Sequence, residues 1–151
     1  MNLAYLLPPL IASIVSATLL VLVITRGRSS TAWRPLSLLI LCTMLWGLFI
    51  FLMRSSSDAE HALGWDRIVV PIGFAICLFN YQFSLSLTKA KPGNRMLILS
   101  YFVLLLTFTL SQTDLFIQNM KVVDYGYAPI VGPGITLVYG FGYLLSILAI
   151  Y

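Results

Sequence analysis

The fold is decided by two apolar runs and the polar turn between them. Their sequences are LSLLILCTMLWGLFIFLM (residues 36–53), RSSSDAEHALGWDR (54–67) and IVVPIGFAICLFNYQFSLSL (68–87). A helix needs roughly 20 apolar residues to cross the hydrocarbon core of a bilayer, and each apolar run is about that long. The stretch is therefore predicted to be a helical hairpin that crosses a membrane twice, with a polar loop at residues 54–67.

The composition of the whole chain also favours a membrane location. Its 151 residues are 60% hydrophobic and only 9% charged, and the mean hydropathy is +0.95. A soluble domain usually carries about 25% charged residues, because even a domain of this size has a large wet surface to cover. The bases lie in short connectors, without the interleaved basic and aromatic patch that nucleic acid would require. We therefore expect the lipid bilayer, and not nucleic acid, as a partner.

Three further apolar runs lie on either side of the hairpin. Together the runs predict an all-α, polytopic transmembrane bundle of about five spans, at residues 3–25, 36–53, 68–87, 96–113 and 134–151. The first run has no basic residue before it and is long for a signal peptide, so we expect a retained helix. In the outer loop 115–133, two short apolar stretches flank Asp124, Tyr125 and Gly126, which indicates a short β-hairpin. Pro129 weakens its second strand.

Local signals add detail to the spans. Asp58 is predicted to cap a short interfacial helix that leads into the third span. Pro71 is predicted to lie in the first turn of that span, where proline is best tolerated. Small residues at helical spacing indicate a close-packed face on the first span, and they are Ala12, Ser13, Ser16 and Ala17.

The charged residues predict the orientation of the bundle. The first and third connectors contain six of the nine Lys and Arg residues and none of the five Asp and Glu residues. An excess of Lys and Arg marks the cytoplasmic side, so the N-terminus is predicted to lie outside and the C-terminus inside. The residues that set this topology are Arg26, Arg28, Arg34, Lys89, Lys91 and Arg95.

The predicted spans contain no Asp, Glu, His, Lys or Arg. Ionisable residues inside a span are the usual mark of ion pathways, proton relays and retinal sites, so these classes are disfavoured. The sequence has no P-loop, zinc or GxSxG motif, and we expect no catalytic residue, no metal site and no cofactor. Cys42 and Cys77 are expected to be free thiols that behave as small hydrophobic residues.

The chemically distinctive residues lie in the outer connectors, where aromatic and charged side chains could line a small-ligand pocket. The candidate sensing residues are Trp65, Asp66, Arg67, Asp124, Tyr125 and Tyr127. In the alternative, the Trp and Tyr side chains anchor the helices at the membrane interface, and Asp66 pairs with Arg67 or with Arg54. Within the third span, Asn80 and Gln82 are predicted to make polar contacts between helices.

Several of these features occur together in one known family. An arginine-rich loop follows the first span, Trp46 lies in the second, and GWDRI (residues 64–68) opens the third. The third span has a Ser-rich end (83–89) before a short basic turn, and GPG (132–134) starts the fifth. Over residues 19–151 the chain resembles the N-terminal seven-helix region of bacterial sensor histidine kinases.

The resemblance implies a single sensory domain over residues 1–151, with several passes through the bacterial cytoplasmic membrane. Its last helix would pass a stimulus to a cytoplasmic output domain, typically a dimerising kinase, so a homodimer is also expected. The family has seven helices and only five are predicted here, and the last apolar run reaches Tyr151 without a stop signal. We therefore expect a C-terminally incomplete domain. The alternatives are a fragment of a transporter or channel, and a structural membrane subunit.

Overall fold

The computed structural model describes residues 3–27, 30, 32–89, 94–124 and 126–150. Within this part the chain forms helices and one two-stranded sheet. The elements are α1 (Leu3–Arg26), α2 (Trp33–Ser55), α3 (Ala59–Thr88), α4 (Asn94–Leu110), β1 (Ile117–Val123), β2 (Gly126–Val131) and α5 (Gly134–Leu148). The mainly helical class and the β-hairpin predicted in the loop 115–133 are confirmed.

The helices differ in length. α1, α2 and α3 are long and apolar enough to cross a membrane by length and composition. α4 and α5 are apolar but contain only 17 and 15 residues, and they end at Leu110 and Leu148, before the ends of the spans predicted at 96–113 and 134–151. α4 ends at Leu110 because hydroxyl groups take up its last carbonyls. The Thr113 hydroxyl donates to the Leu110 carbonyl oxygen at 2.6 Å.

The prediction of a polar loop at residues 54–67 is wrong. α2 continues to Ser55 and α3 begins at Ala59, so only residues 56–58 connect them. Asp58 does cap a helix, since its side chain accepts a hydrogen bond from the backbone N–H of His61 at 2.9 Å. That helix is the start of one continuous 30-residue α3 and not a separate short helix. The first turns of α3 are stabilised because Ala62 is buried in the core.

Pro71 consequently lies well inside α3 and not in its first turn. A proline at this position has no N–H to donate to the carbonyl four residues earlier, at Arg67. Pro71 is buried against the neighbouring elements. Helices in a bundle tolerate such a proline because neighbouring groups satisfy the freed carbonyl, so α3 continues to Thr88.

Side-chain contacts show that α1 and α2 are antiparallel. The Ser13 hydroxyl donates to the Met44 carbonyl oxygen at 3.0 Å, and Arg54 Nη1 donates to the Tyr5 carbonyl oxygen at 2.8 Å. Gly47 closes the same interface, because a Cβ there would lie 2.9 Å from the Pro9 carbonyl oxygen. Of the small residues predicted to form this face, Ser13 and Ser16 are buried, Ala17 is half-buried and Ala12 is exposed.

α3 is the central helix of the bundle, in contact with α2, α4, α5 and both strands. The contact of Trp65 with Phe49 makes it antiparallel to α2, and the contact of Gln82 with Tyr101, near the end of α3 and the start of α4, makes it antiparallel to α4. Gly73 faces Tyr139 and, further along both helices, Cys77 faces Gly142, so α5 runs parallel to α3. Among the described residues, the largest apolar side chains that are fully buried are Phe74, Leu78, Ile117 and Leu145.

The β-hairpin formed by β1 and β2, called the hairpin from here on, lies over the ends of α2 and α3. Its strands are antiparallel, with Val123 opposite Gly126 and Ile117 opposite Val131. Gly126 has a φ of +112°, and a Cβ there would lie 2.6 Å from the Arg54 carbonyl oxygen. Both facts require glycine at this position. Tyr127 adds a second contact, since its hydroxyl oxygen lies 3.5 Å from the Ser57 carbonyl oxygen.

These helix directions separate the charges. We call the end of the bundle that carries the hairpin the hairpin end, and all five acidic residues lie there: Asp58, Glu60, Asp66, Asp114 and Asp124. We call the opposite end the basic end, where the described bases are Arg26, Arg34, Lys89 and Arg95. Arg28 and Lys91, which were also predicted to set the topology, lie outside the described residues. Both cysteines are free, as predicted.

Candidate functional site

Trp65 lies at a cavity at the hairpin end. Its ring stacks on Phe49 of α2 with 5.6 Å between the ring centroids and 30° between the planes. A cavity of about 430 Å³ opens beside it, lined by Glu60, His61, Gly64, Trp65 and Ile68. The cavity thus combines one large aromatic surface with a carboxylate and an imidazole.

Asp66 points away from this cavity into the bundle. Its side chain is only 5% exposed, and it makes no hydrogen bond or ion pair with any residue that the structure describes. The alternative prediction that Asp66 pairs with Arg67 or Arg54 is therefore wrong. Adjacent positions on a helix do not face each other, so Arg67 faces a different neighbour.

Arg67 pairs instead with the connection after α4. Its Nη2 lies 2.8 Å from Asp114 Oδ1, with Arg67 mostly buried and Asp114 79% exposed. The pair joins the start of α3 to the end of α4. Because one partner is open to solvent, the pair contributes no more than about 1 kcal/mol to stability. The Arg67 Nε is buried and has no hydrogen-bond acceptor among the described residues.

The hairpin contributes the remaining predicted sensing residues. Asp124 is exposed at the turn, and Tyr127 is half-buried against Ser57. Tyr125 lies outside the described residues. Within the part of the chain that the structure describes, Asp124 and Tyr127 do not line the cavity beside Trp65. The structure therefore divides the predicted set between a cavity on α3, a buried carboxylate and the hairpin.

The sequence analysis missed the pairing of His61 with Asp58. The His61 Nδ1 lies 2.8 Å from Asp58 Oδ2 at the start of α3, and His61 also lines the cavity beside Trp65. The backbone N–H of His61, followed by its ring, lowers the pKa of Asp58 to about 2. The i, i+3 spacing of Asp and His at a helix start was the available signal, since it places both side chains on one face.

A second cavity was also missed. It lies between α2 and α5, with α3 as its floor, and has a volume of about 360 Å³. We call it the α2–α5 cleft. Its lining residues are Thr43, Trp46, Gly73, Ile76, Cys77, Tyr139 and Tyr143. On the other side of α3 lies an apolar groove of about 470 Å³ between α2 and α4, in which Tyr101 contributes the one hydroxyl of the described lining.

The two residues predicted to make interhelical contacts behave differently. Gln82 Nε2 donates to the Tyr101 hydroxyl oxygen at 2.8 Å, which joins α3 to α4. Asn80 is half-buried, and its side chain makes no hydrogen bond to the described residues. Over the same residues, no group of three or more His, Cys, Asp and Glu side chains could hold a metal ion.

Comparison with known proteins identifies the family. No curated protein and no solved structure matches the chain. A family model described as the N-terminal 7TM region of histidine kinase matches residues 8–151. The match covers nearly the whole chain, including every element that surrounds the three cavities. The chain therefore belongs to the family of N-terminal 7TM regions of histidine kinases.

Proposed function

We propose that this chain is the membrane-embedded sensory input module of a bacterial signalling protein of the histidine-kinase type. The observation that carries the proposal is the family match over residues 8–151. In this role the chain performs no catalysis. Its partners are the lipid bilayer and a cytoplasmic kinase or other output domain, and the dimerising kinase makes the module a homodimer.

The separation of charges supports an orientation in the bacterial cytoplasmic membrane. With the basic end in the cytoplasm and the hairpin end outside, the bundle obeys the positive-inside rule. All five helices then cross the bilayer. α4 and α5 are about 25 Å and 22 Å long at 1.5 Å per residue, against a hydrocarbon core of about 30 Å. A locally thinned bilayer accommodates this mismatch at a cost of fractions of a kcal/mol per Å.

The outer face is the proposed place where the stimulus acts. The candidate sensing residues remain Trp65, Asp66, Arg67, Asp124, Tyr125 and Tyr127. A stimulus there would favour one of two helix packings, as any ligand-driven change requires. The hairpin rests on α2 and α3, and α5 packs along α3 through Gly142 and Cys77. A displacement at the hairpin end therefore reaches α5 through α3.

The test uses the complete signalling protein in membrane vesicles, with autophosphorylation of its kinase as the readout. Arg67→Ala removes the tie between α3 and the end of α4, and we expect it to shift the basal autophosphorylation rate at least twofold. Lys121→Ala is the matched control, because Lys121 is exposed on β1 and makes no ion pair in the described structure. An unchanged rate in Arg67→Ala, or a gene that encodes no output domain and has no kinase partner, would contradict the proposal.

A further inference from the structure

Asp66 differs from the other acidic residues of the chain because it is buried without a partner. Its side chain is 5% exposed, and no residue that the structure describes hydrogen-bonds or ion-pairs with it. The other four acids are exposed to solvent. An ionised carboxylate that is buried without a partner is strongly disfavoured. The packing around Asp66 therefore favours its neutral, protonated form.

The burial of Asp66 takes place where α3 packs on α5. Gly73 lies seven residues further along α3, which is two turns along the same face, and Tyr139 of α5 lies 3.7 Å from where its Cβ would be. The charge of Asp66 also acts electrostatically on Tyr139. Ala62 and Val70, four residues to either side of Asp66, belong to the buried core. The neutral carboxyl group is thus part of the contact between α3 and α5.

The charged groups on the surrounding elements do not compensate Asp66. From α5, the titratable group that faces it is the phenol of Tyr139. On α3, ion pairs engage Arg67 and His61 elsewhere, and Arg54 of α2 donates to a backbone carbonyl oxygen of α1. Burial is accordingly the dominant influence on the Asp66 carboxyl group. The remaining charged side chains near this end of α3 and on the hairpin are exposed, and they are Glu60, Lys121 and Asp124.

The protonation of Asp66 is coupled to the helix packing. In the proposed orientation Asp66 lies just outside the hydrocarbon core, because the third span begins at residue 68. Burial raises the pKa of Asp66 from 3.8 to about 6, whereas hydration in a more open packing would restore the lower value. The described packing is therefore favoured fully below pH 3.8, and this advantage is lost as the pH rises through about 6. A pKa difference of about two units changes the equilibrium between the two packings about 100-fold.

We propose that Asp66 is a proton-binding site through which the module responds to acid outside the cell. A proton from the external water binds one carboxylate oxygen, and the neutral group then allows α5 to pack closely on α3. Loss of the proton to water favours a packing in which the carboxylate is hydrated. This inference rests on the proposed function and adds the proton as its stimulus.

The first experiment detects the proton by infrared difference spectroscopy of the complete signalling protein in lipid nanodiscs. The carbonyl stretch of protonated carboxyl groups is recorded from about pH 8 to about pH 4, a range that contains the expected transition. We expect a band with a midpoint near pH 6 that Asp66→Asn removes. Asp124→Asn is the matched control, because it removes a carboxylate from the exposed turn of the hairpin, and it should keep this band.

The second experiment measures the response in inverted membrane vesicles, in which the kinase faces the bath and Asp66 faces the lumen. The bath stays at about pH 7.5, and the lumen is buffered at about pH 7.5 or about pH 5, on either side of the transition. We expect luminal acid to change the autophosphorylation rate about twofold or more. Asp66→Asn and Asp66→Leu are neutral at every pH, so both should abolish the change. The leucine variant tests the same point without a buried amide, and Asp124→Asn should keep the change.

Three results would overturn the proposal. Absence of a band near pH 6 would mean that Asp66 stays ionised, as it would beside a basic group outside the described residues. A band that persists in Asp66→Asn would belong to another carboxyl group. An Asp66 band combined with a kinase rate that is independent of luminal pH would show a proton that is bound but not sensed. In each case the sensory function stands if Arg67→Ala shifts autophosphorylation, and it fails separately if Arg67→Ala does not.

Discussion

Single residues determine where the hairpin packs against α2 and α3. Gly126 occupies a backbone conformation that other residues rarely adopt, and its Cα lies directly against the backbone of α2 at Arg54. Asp58 fixes the start of α3 from the other side of the same connection, through the backbone N–H and the ring of His61. Local chemistry at two positions therefore determines where the hairpin and α3 meet.

Gly126→Ala should destabilise the protein by about 1–3 kcal/mol, because it combines an unfavourable φ with a clash against the Arg54 carbonyl. The measurement is the free energy of unfolding in detergent. Gly140→Ala is the control, since a Cβ at Gly140 meets nothing within 4 Å, and alanine in a helix is favoured over glycine by up to about 1 kcal/mol. Equal stability of the two variants would show that the hairpin does not need to approach α2 so closely.

The cap of α3 should respond to acid. His61 lowers the pKa of Asp58 from 3.8 to about 2, so the ionised cap stabilises the helix start fully above pH 3.8 and is lost as the pH falls through 2. Amide exchange of His61 should accelerate, relative to the intrinsic rate, only between about pH 4 and 2. Asp58→Asn keeps a capping oxygen without a charge and should remove this pH dependence. Acceleration beginning at pH 6 would exclude Asp58 as its cause.

Packing decides the arrangement of the helices. α1 is held to α2 by small residues and a hydroxyl, as is usual for helices in lipid, whereas α3 is held by large apolar side chains. The sequence predicted the existence of the apolar helices because each contains a long uniform apolar run, but it did not predict the bounds of α3, α4 and α5. It predicted a short helix after Asp58 but not that residues 59–67 continue without a break into the third span, since their polarity resembles a turn until the buried faces of Ala62 and Asp66 are known.

Gly47→Leu should separate α1 from α2, because any side chain at this position meets Pro9 and Ser13. Overpacking of this kind costs about 1–3 kcal/mol. Disulfide formation between cysteines introduced at Ser13 and Met44, whose atoms form a 3.0 Å hydrogen bond in the parent, should fall at least tenfold. Gly64→Leu, which has open space around it, should leave that crosslink unchanged. An intact crosslink in Gly47→Leu would refute the close packing of this interface.

The hydrogen bond between α3 and α4 should be measurable as a coupling energy. Gln82→Leu and Tyr101→Phe each break the same 2.8 Å contact, so their effects on unfolding should be non-additive by about 0.6 kcal/mol, the average for such pairs in membranes. Asn80→Leu combined with Tyr101→Phe should be additive. A coupling energy of zero for the Gln82 pair would show that lipid or water replaces the contact without loss.

At the scale of the whole molecule, the charge pattern predicts which end faces the cell interior. With both native cysteines replaced by alanine, a membrane-impermeant thiol reagent should label Ser56→Cys in intact cells and should not label Ser30→Cys. After the cells are opened, both should react. The reverse pattern in intact cells would invert the bundle and place the candidate sensing residues in the cytoplasm.

The candidate site was less predictable than the fold. The sequence indicated Trp65 but not its stacking on Phe49 of α2, and it placed Trp46 in a span without its neighbours Tyr139 and Tyr143. These residues are about 100 positions apart, and they line one cavity only because α2 and α5 both pack on α3. No local pattern carries that information. The separation of Asp66 from Arg67 likewise depends on which helix face the core occupies.

In the proposed orientation, the position of the hairpin determines the order in which the segments are translocated and folded. The segment between α4 and α5 has to be translocated before it can fold, because the ends of α2 and α3 on which Ile117 and Met120 become buried exist only on the far side of the bilayer. Lys121 and Asp124 cancel within the strands and turn, so little net charge has to be moved. The core of the described residues also includes Val138 and Leu145 of α5, so it cannot form until the ribosome has delivered that helix.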